Sequence, residues 1–124
     1  MDKKKILIVD DEQCVRELVK STLGADYIVL EASNGEEAIN ITHTQRPYLV
    51  LMDILMPKVD GYTACHTIKT DPVTKAIPVV MLTGIGHELN RRLSQGMGAV
   101  GYVTKPFNVQ DLLDAIKEYE LAAC

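Results

Sequence analysis

Acids, a hydroxyl and an ammonium stand at the ends of short apolar runs in this chain. The run Ile6–Val9 passes directly into Asp10, Asp11 and Glu12, and the run Tyr48–Met52 passes into Asp53, within LMDILMP. Thr83 follows Val79–Leu82 within VMLTG, and Lys105 comes just after Val100–Val103, within YVTKPF. A carboxylate at the lip of an apolar core costs free energy unless something satisfies it. Two carboxylates ~4 Å apart repel by ~4 kcal/mol at an effective dielectric of 20. A domain stable by only ~5–15 kcal/mol does not keep converging acids without compensation. One lysine offsets part of the repulsion; a hard divalent cation offsets the rest, and carboxylate-rich oxygen sites with open water positions suit Mg²⁺. Mg²⁺, a nucleophilic oxygen, a hydroxyl and a lysine together are the apparatus of phosphoryl transfer, with Asp53 the expected nucleophile and an acyl phosphate its product. Taken singly, each residue has an ordinary reading as a helix cap, a turn acid, a strand threonine or a loop charge. Only their convergence points to chemistry.

That convergence depends on the elements that carry them. The runs Ile6–Val9, Tyr27–Leu30, Tyr48–Met52, Val79–Leu82 and Val100–Val103 are mostly continuous, as in strands buried on both faces of a parallel sheet. The second gives way quickly to polar residues (DYIVLEAS), which suits an edge. Helical patterns lie between them. Val15, Leu18, Val19, Thr22 and Leu23 share one face, with Gly24 as the stop. Ser33 with Glu36 forms a capping box for a second helix that ends before Pro47. A third follows the Asp60-Gly61 turn, carries Cys65 and Ile68 inward and stops near Pro72. A fourth is expected from Glu88 to Gln95, closed by Gly96 and Gly98. A fifth starts at Asn108, with Asp111 in its first turn and Leu112, Ile116 and Tyr119 on one face. Alternation of this kind predicts an α/β fold, a (βα)5 doubly wound parallel sheet of flavodoxin-like order 2-1-3-4-5. The order reverses between the first and third strands, ~4.8 Å apart. Ligands of such sheets bind at the carboxyl ends of the strands beside that reversal, where the acids converge.

Composition narrows the function further. The 124 residues are 47% hydrophobic and 24% charged, which predicts a single domain over 1–124 with a proper core. The net charge is −4, and no basic cluster exceeds KKK at 3–5 or Arg91-Arg92, so direct nucleic-acid binding is not expected. Apolar runs of about five residues fall far short of the ~20 a membrane helix needs. Cys14, Cys65 and Cys124 have no metal-type spacing and read as reduced thiols, so a cytoplasmic location is expected. His43, His66 and His87 are scattered, with surface or helix-end roles expected.

The ordered set VDDE, LMDILMP, MLTG and YVTKPF resembles, over the whole length, the receiver domain of two-component response regulators. The resemblance implies that Asp53 accepts a phosphoryl group from a histidine kinase or histidine phosphotransfer protein, and that the chain then switches conformation to control a downstream effector. It implies Mg²⁺ held by Asp11 directly, by Asp10 through water, by Asp53 and by the backbone carbonyl of Leu55. Thr83 and Lys105 would bind phosphoryl oxygens, Tyr102 would be the switch aromatic, and Pro106 would follow a cis peptide bond. Gln13, Cys14, Val15 and Leu18, with Pro106 and Phe107, match positions where the family docks its kinase. For Val15 and Leu18 a plain core role is preferred.

Two departures carry expectations of their own. The positions that tune autodephosphorylation in the family hold Leu55 and Ile85, both apolar. Neither orients an attacking water, which implies slow hydrolysis of the phosphoryl group. Val100 and Gly101 stand where the winged-helix class of regulators carries acids used in a dimer, so that dimer is not expected. Other functions compete less well. A phosphorylation-independent docking module of the same fold predicts a missing site residue, and none is missing. A phosphatase of the haloacid-dehalogenase class needs a second acid where Leu55 stands. A nucleotide or flavin site needs glycines or hydroxyls after the first strand, where DDEQ repels phosphate. The chain is therefore not expected to turn over an outside substrate.

Overall fold

Period-two alternation along each central strand builds two apolar layers, one on each face of the sheet. The computed structural model describes residues 3–54, 56–83, 96, 98–104 and 108–122. In chain order they form β1 (Lys4–Val9), α1 (Gln13–Leu23), β2 (Tyr27–Ala32), α2 (Gly35–Gln45), β3 (Leu49–Asp53), α3 (Gly61–Thr70), β4 (Val79–Thr83), β5 (Gly101–Thr104) and α4 (Val109–Ala122). The sheet is parallel throughout, with order β2-β1-β3-β4-β5, as the alternation of runs predicts. The helix expected over 88–95 lies outside the described residues.

On one face Leu7, Val9, Val50, Met52, Val79 and Met81 pack with Ala38 of α2 and with Ala64, Cys65 and Ile68 of α3. On the other, Ile6, Ile8, Leu49, Leu51, Val80 and Leu82 pack with Val19 and Leu23 of α1 and with Leu112 and Ile116 of α4. Burial of each such side chain contributes ~1.5–3 kcal/mol. β2 is an edge strand and only its last residue, Ala32, is fully buried.

The helix starts show how packing corrects local pattern. Asn34, not Ser33, caps α2: its side chain accepts from the Glu37 N–H at 2.9 Å. Glu37 then reaches back to Ser33, accepting from its N–H at 2.8 Å and its hydroxyl at 2.9 Å. Ser and Asn cap about equally well, so local preference does not choose between them. A contact outside the helix does. The Gly35 N–H donates to the Val59 carbonyl at 3.1 Å, and a Cβ on Gly35 would lie 2.3 Å from that oxygen. The residue that opens the helix must therefore be the glycine. Asp60 caps α3 through the Thr63 N–H at 2.8 Å, as the Asp60-Gly61 pair suggests. Asn108 and Asp111 exchange a reciprocal pair of hydrogen bonds before α4, at 2.8 and 3.0 Å.

Leu18 is a second correction. The core of α1 runs along Val19 and Leu23, with Val15 half-buried, and Leu18 is 40% exposed. The ridge that meets the sheet is the i, i+4 row, and Leu18 stands one residue off it.

Candidate functional site

β1 runs into the acidic turn without a break in pairing. The Asp10 N–H donates to the Ala32 carbonyl at 3.1 Å, which extends the ladder with β2 by one residue. Its side chain is fully buried, and its Oδ1 accepts from the Glu12 N–H at 2.9 Å. Its backbone carbonyl accepts from Arg16 Nη1 at 2.7 Å. A buried carboxylate needs such partners. Asp11 and Glu12 are exposed. One carboxylate oxygen from each of Asp10, Asp11 and Glu12 falls within 4.8 Å of the others. Glu12 is the N-cap residue of α1 yet makes no side-chain cap bond, and its Oε2 accepts from Cys14 Sγ at 4.0 Å.

Asp53 closes β3 and is 6% exposed. The register pairs Val9 with Met52, so Asp10 and Asp53 are the next residues on adjacent strands. In the pleat they continue the series Ile8 and Leu51, and so share a face. The chain beyond Asp53 is held by close approach. The Ile54 N–H donates to Leu82 at 3.3 Å, and the Gly61 N–H to the Ile54 carbonyl at 2.8 Å. A Cβ on Gly61 would sit 2.2 Å from the Asp53 carbonyl oxygen. Only glycine lets the start of α3 lie against this strand end. Gly35 supports the same loop from α2 through Val59, and Lys58 between them adopts a left-handed backbone with φ of 67°.

Thr83 closes β4 opposite Thr104 of β5, and Tyr102 lies opposite Met81. Both therefore occupy the strand positions expected of them. Leu55, Ile85, Lys105 and Pro106 lie outside the described residues, as do Phe107, His87 and Cys124. Of the expected docking positions, Gln13 and Cys14 are exposed and Val15 is half-buried. Val100 is 48% exposed, an uncharged residue on the surface before β5. His43, in the last turn of α2, stands 3.8 Å from Asp71 at the end of α3.

The donor set fits a hard cation. It consists of carboxylate oxygens, and two ligands of one Mg²⁺ at ~2.1 Å lie at most ~4.2 Å apart, close to the 4.8 Å spread found here. Among the described residues the group at that spacing is Asp10, Asp11 and Glu12; Asp53 is on the next strand and is not a member of it. Pattern reading named Glu12 only as a follower and Gly61 only as part of a turn, and passed over Arg16. Glu12 is legible as an acid in the same turn. Arg16 and Gly61 act through contacts that no local periodicity encodes.

Comparison with known proteins agrees with this geometry. Residues 6–117 match the response regulator receiver domain family. The chain is 42% identical over 111 residues to the "Probable transcriptional regulator ycf27" of Guillardia theta, covering 89% of this chain and 42% of that protein. It thus spans less than half the length of this curated relative. Among solved structures it is similar to the chemotaxis response regulator CheY4 of Vibrio cholerae, with TM-score 0.89 and 30% identity over 94% of this chain and 98% of that one. It is also similar to the receiver domain of a sensor histidine kinase from Pseudomonas aeruginosa, solved with a magnesium ion coordinated in its active-site cleft. There the TM-score is 0.86 and the identity 25%, over 94% of this chain and 97% of that one.

Proposed function

The chain belongs to the response regulator receiver domain family, and we propose that within it Asp53 accepts the phosphoryl group and the fold reads its presence. The observation that carries this reading is the placement of Asp53 at a buried strand end, one strand from a turn that gathers Asp10, Asp11 and Glu12.

An Asp53 carboxylate oxygen attacks the phosphorus of a phosphohistidine on a histidine kinase or histidine phosphotransfer protein. The new P–O bond forms as the P–N bond breaks, and the electron pair returns to the imidazole nitrogen, which takes up a proton. Burial of Asp53 keeps its oxygen in one orientation and keeps bulk water from competing with it. Asp10, Asp11, Asp53 and the Leu55 carbonyl would hold Mg²⁺, with Glu12 beside them. Bound there, the ion neutralises charge on the phosphoryl oxygens. Thr83 and Lys105 would take the remaining phosphoryl oxygens, and the Thr83 shift would be passed to Tyr102 on the adjacent strand, altering the surface a downstream effector reads. Leu55 and Ile85 offer no hydrogen bond to an attacking water, so the phosphoryl group would decay slowly. The chain would act over residues 1–124 as one cytoplasmic switching domain that modifies itself and turns over no outside substrate. Among the described residues, no helix is long and apolar enough to cross a membrane.

Intact mass after incubation with acetyl phosphate, with and without Mg²⁺, tests the reading. One added phosphoryl group is expected only in the wild type with Mg²⁺ and not in Asp53→Asn. A folded wild-type protein that binds Mg²⁺ but gains no mass would leave a phosphorylation-independent docking module instead.

A further inference from the structure

The guanidinium of Arg16, on α1, reaches both the turn after β1 and the edge strand β2. Its Nη1 donates to the Asp10 carbonyl at 2.7 Å, and its Nε to Glu31 Oε1 at 3.3 Å on the edge strand β2. Glu31 also accepts from Lys20 Nζ at 3.3 Å. The Arg16 side chain is 17% exposed, while Glu31 is an exposed residue of the edge strand. An open cavity of about 220 Å³ lies alongside, lined by Arg16, Glu31, Ala32, Ser33 and Glu37. The space would let an untethered arginine swing away from the turn. The Glu31 carboxylate selects the orientation in which the guanidinium fork reaches the Asp10 carbonyl.

We propose that Arg16, oriented by Glu31, is a positioning residue that presets the Asp10–Glu12 turn for a divalent cation. Peptide planarity supplies the physical link. Holding the Asp10 carbonyl fixes the plane that contains the Asp11 N–H and Cα. That plane sets where the Asp11 carboxylate is carried and where the Glu12 N–H meets Asp10 Oδ1. Arg16 meets this turn at the Asp10 backbone carbonyl, so its proposed action is through the backbone. The proposal rests on the metal-binding part of the proposed function.

The sign of its effect separates it from simple electrostatics. A positive charge next to a cation site weakens cation binding, so removing that charge alone would tighten Mg²⁺. Loss of a positioning contact weakens it instead. The experiment is titration of the purified chain with Mg²⁺ by calorimetry at fixed ionic strength, with circular dichroism in EDTA to establish folding. Arg16→Met is expected to weaken Mg²⁺ roughly tenfold, at the low end of effects from groups behind the ligands. Glu31→Gln is expected to weaken it by less. Arg16→Lys keeps the charge but lacks the fork that spans both acceptors, so it should not restore wild-type affinity; full restoration would show that a single donor suffices and would overturn the orienting role given to Glu31. An unchanged or tighter constant in folded Arg16→Met overturns the proposal, and if that variant fails to fold, the same result in Glu31→Gln does so. Absence of Mg²⁺ binding in the wild type would instead remove the metal-site reading itself, and the positioning role with it.

Discussion

The turn after β1 and the loop after β3 both come where a buried stretch of strand gives way at an aspartate, Asp10 just past β1 and Asp53 the last residue of β3, yet they are held in different ways. The first is tied by polar groups: Glu12 N–H on the Asp10 carboxylate, Arg16 on its carbonyl and Glu31 behind Arg16. The second is held by steric closeness, with two helix-opening glycines where a Cβ would overlap the Asp53 and Val59 carbonyl oxygens. Polar ties on a partly exposed surface contribute little net stability but fix direction. Backbone contact without room for a methyl group tolerates no substitution. Under the proposed function, a site that must gather charge and also keep a nucleophile in place would use both means, one at each strand end.

The contrast is open to breakage at several points. Gly61→Ala should show the largest effect, a loss of about 2–4 kcal/mol in urea denaturation, because strand end or helix must move. A loss below about 0.5 kcal/mol would show that the loop after β3 yields easily and that the contrast is unfounded. Gly35→Ala should cost somewhat less, ~1–3 kcal/mol by the same measurement, since its neighbour Val59 lies in a loop. Removing the cap with Asn34→Ala should cost ~1 kcal/mol, and a larger loss in Ser33→Ala than in Asn34→Ala would return the cap to Ser33. Arg16→Met should change stability by only ~0–1 kcal/mol, with the difference shrinking at high salt.

Two chemical probes sharpen the comparison further. Hydrogen bonds from the Ser33 backbone and hydroxyl hold the Glu37 carboxyl below its ordinary value of 4.5. A folded-state value below the unfolded one means that the contribution is present above the unfolded value and lost as pH falls through the folded one. Melting temperatures recorded between roughly pH 3 and 6 should therefore fall less steeply on the acid side in Glu37→Gln than in wild type. Burial pushes the Cys65 thiol up to about 11, whereas Cys14 is exposed beside the acidic turn. In a Cys124→Ser background, iodoacetamide near neutral pH should label Cys14 and leave Cys65 unmodified until the protein unfolds. Early labelling of Cys65 would show that the α3 face opens more readily than its packing implies.

Much of this architecture is legible in the order of residues because it depends on short-range periodicity. Continuous apolar runs mark strands with both faces covered, and the quick turn to polar residues after Leu30 marks the edge strand. Strand-end acids then follow from where each run stops. The tertiary structure moved a few features by one or two residues. β2 runs on two residues past Leu30 to Ala32, and α2 starts one residue later than its capping pattern suggests.

What the sequence by itself determined was the set of strands, their parallel pairing and the acids brought to one edge, since each follows from local pattern and from the few topologies that pattern allows. Only the tertiary structure decided that Glu12 joins Asp10 and Asp11, that Arg16 links the acidic turn to Glu31, that Leu18 faces outward and that Gly35 and Gly61 must have no side chain. The first depends on how the turn after β1 is bent, and the others on distances between elements separate in the chain, to all of which periodicity is blind.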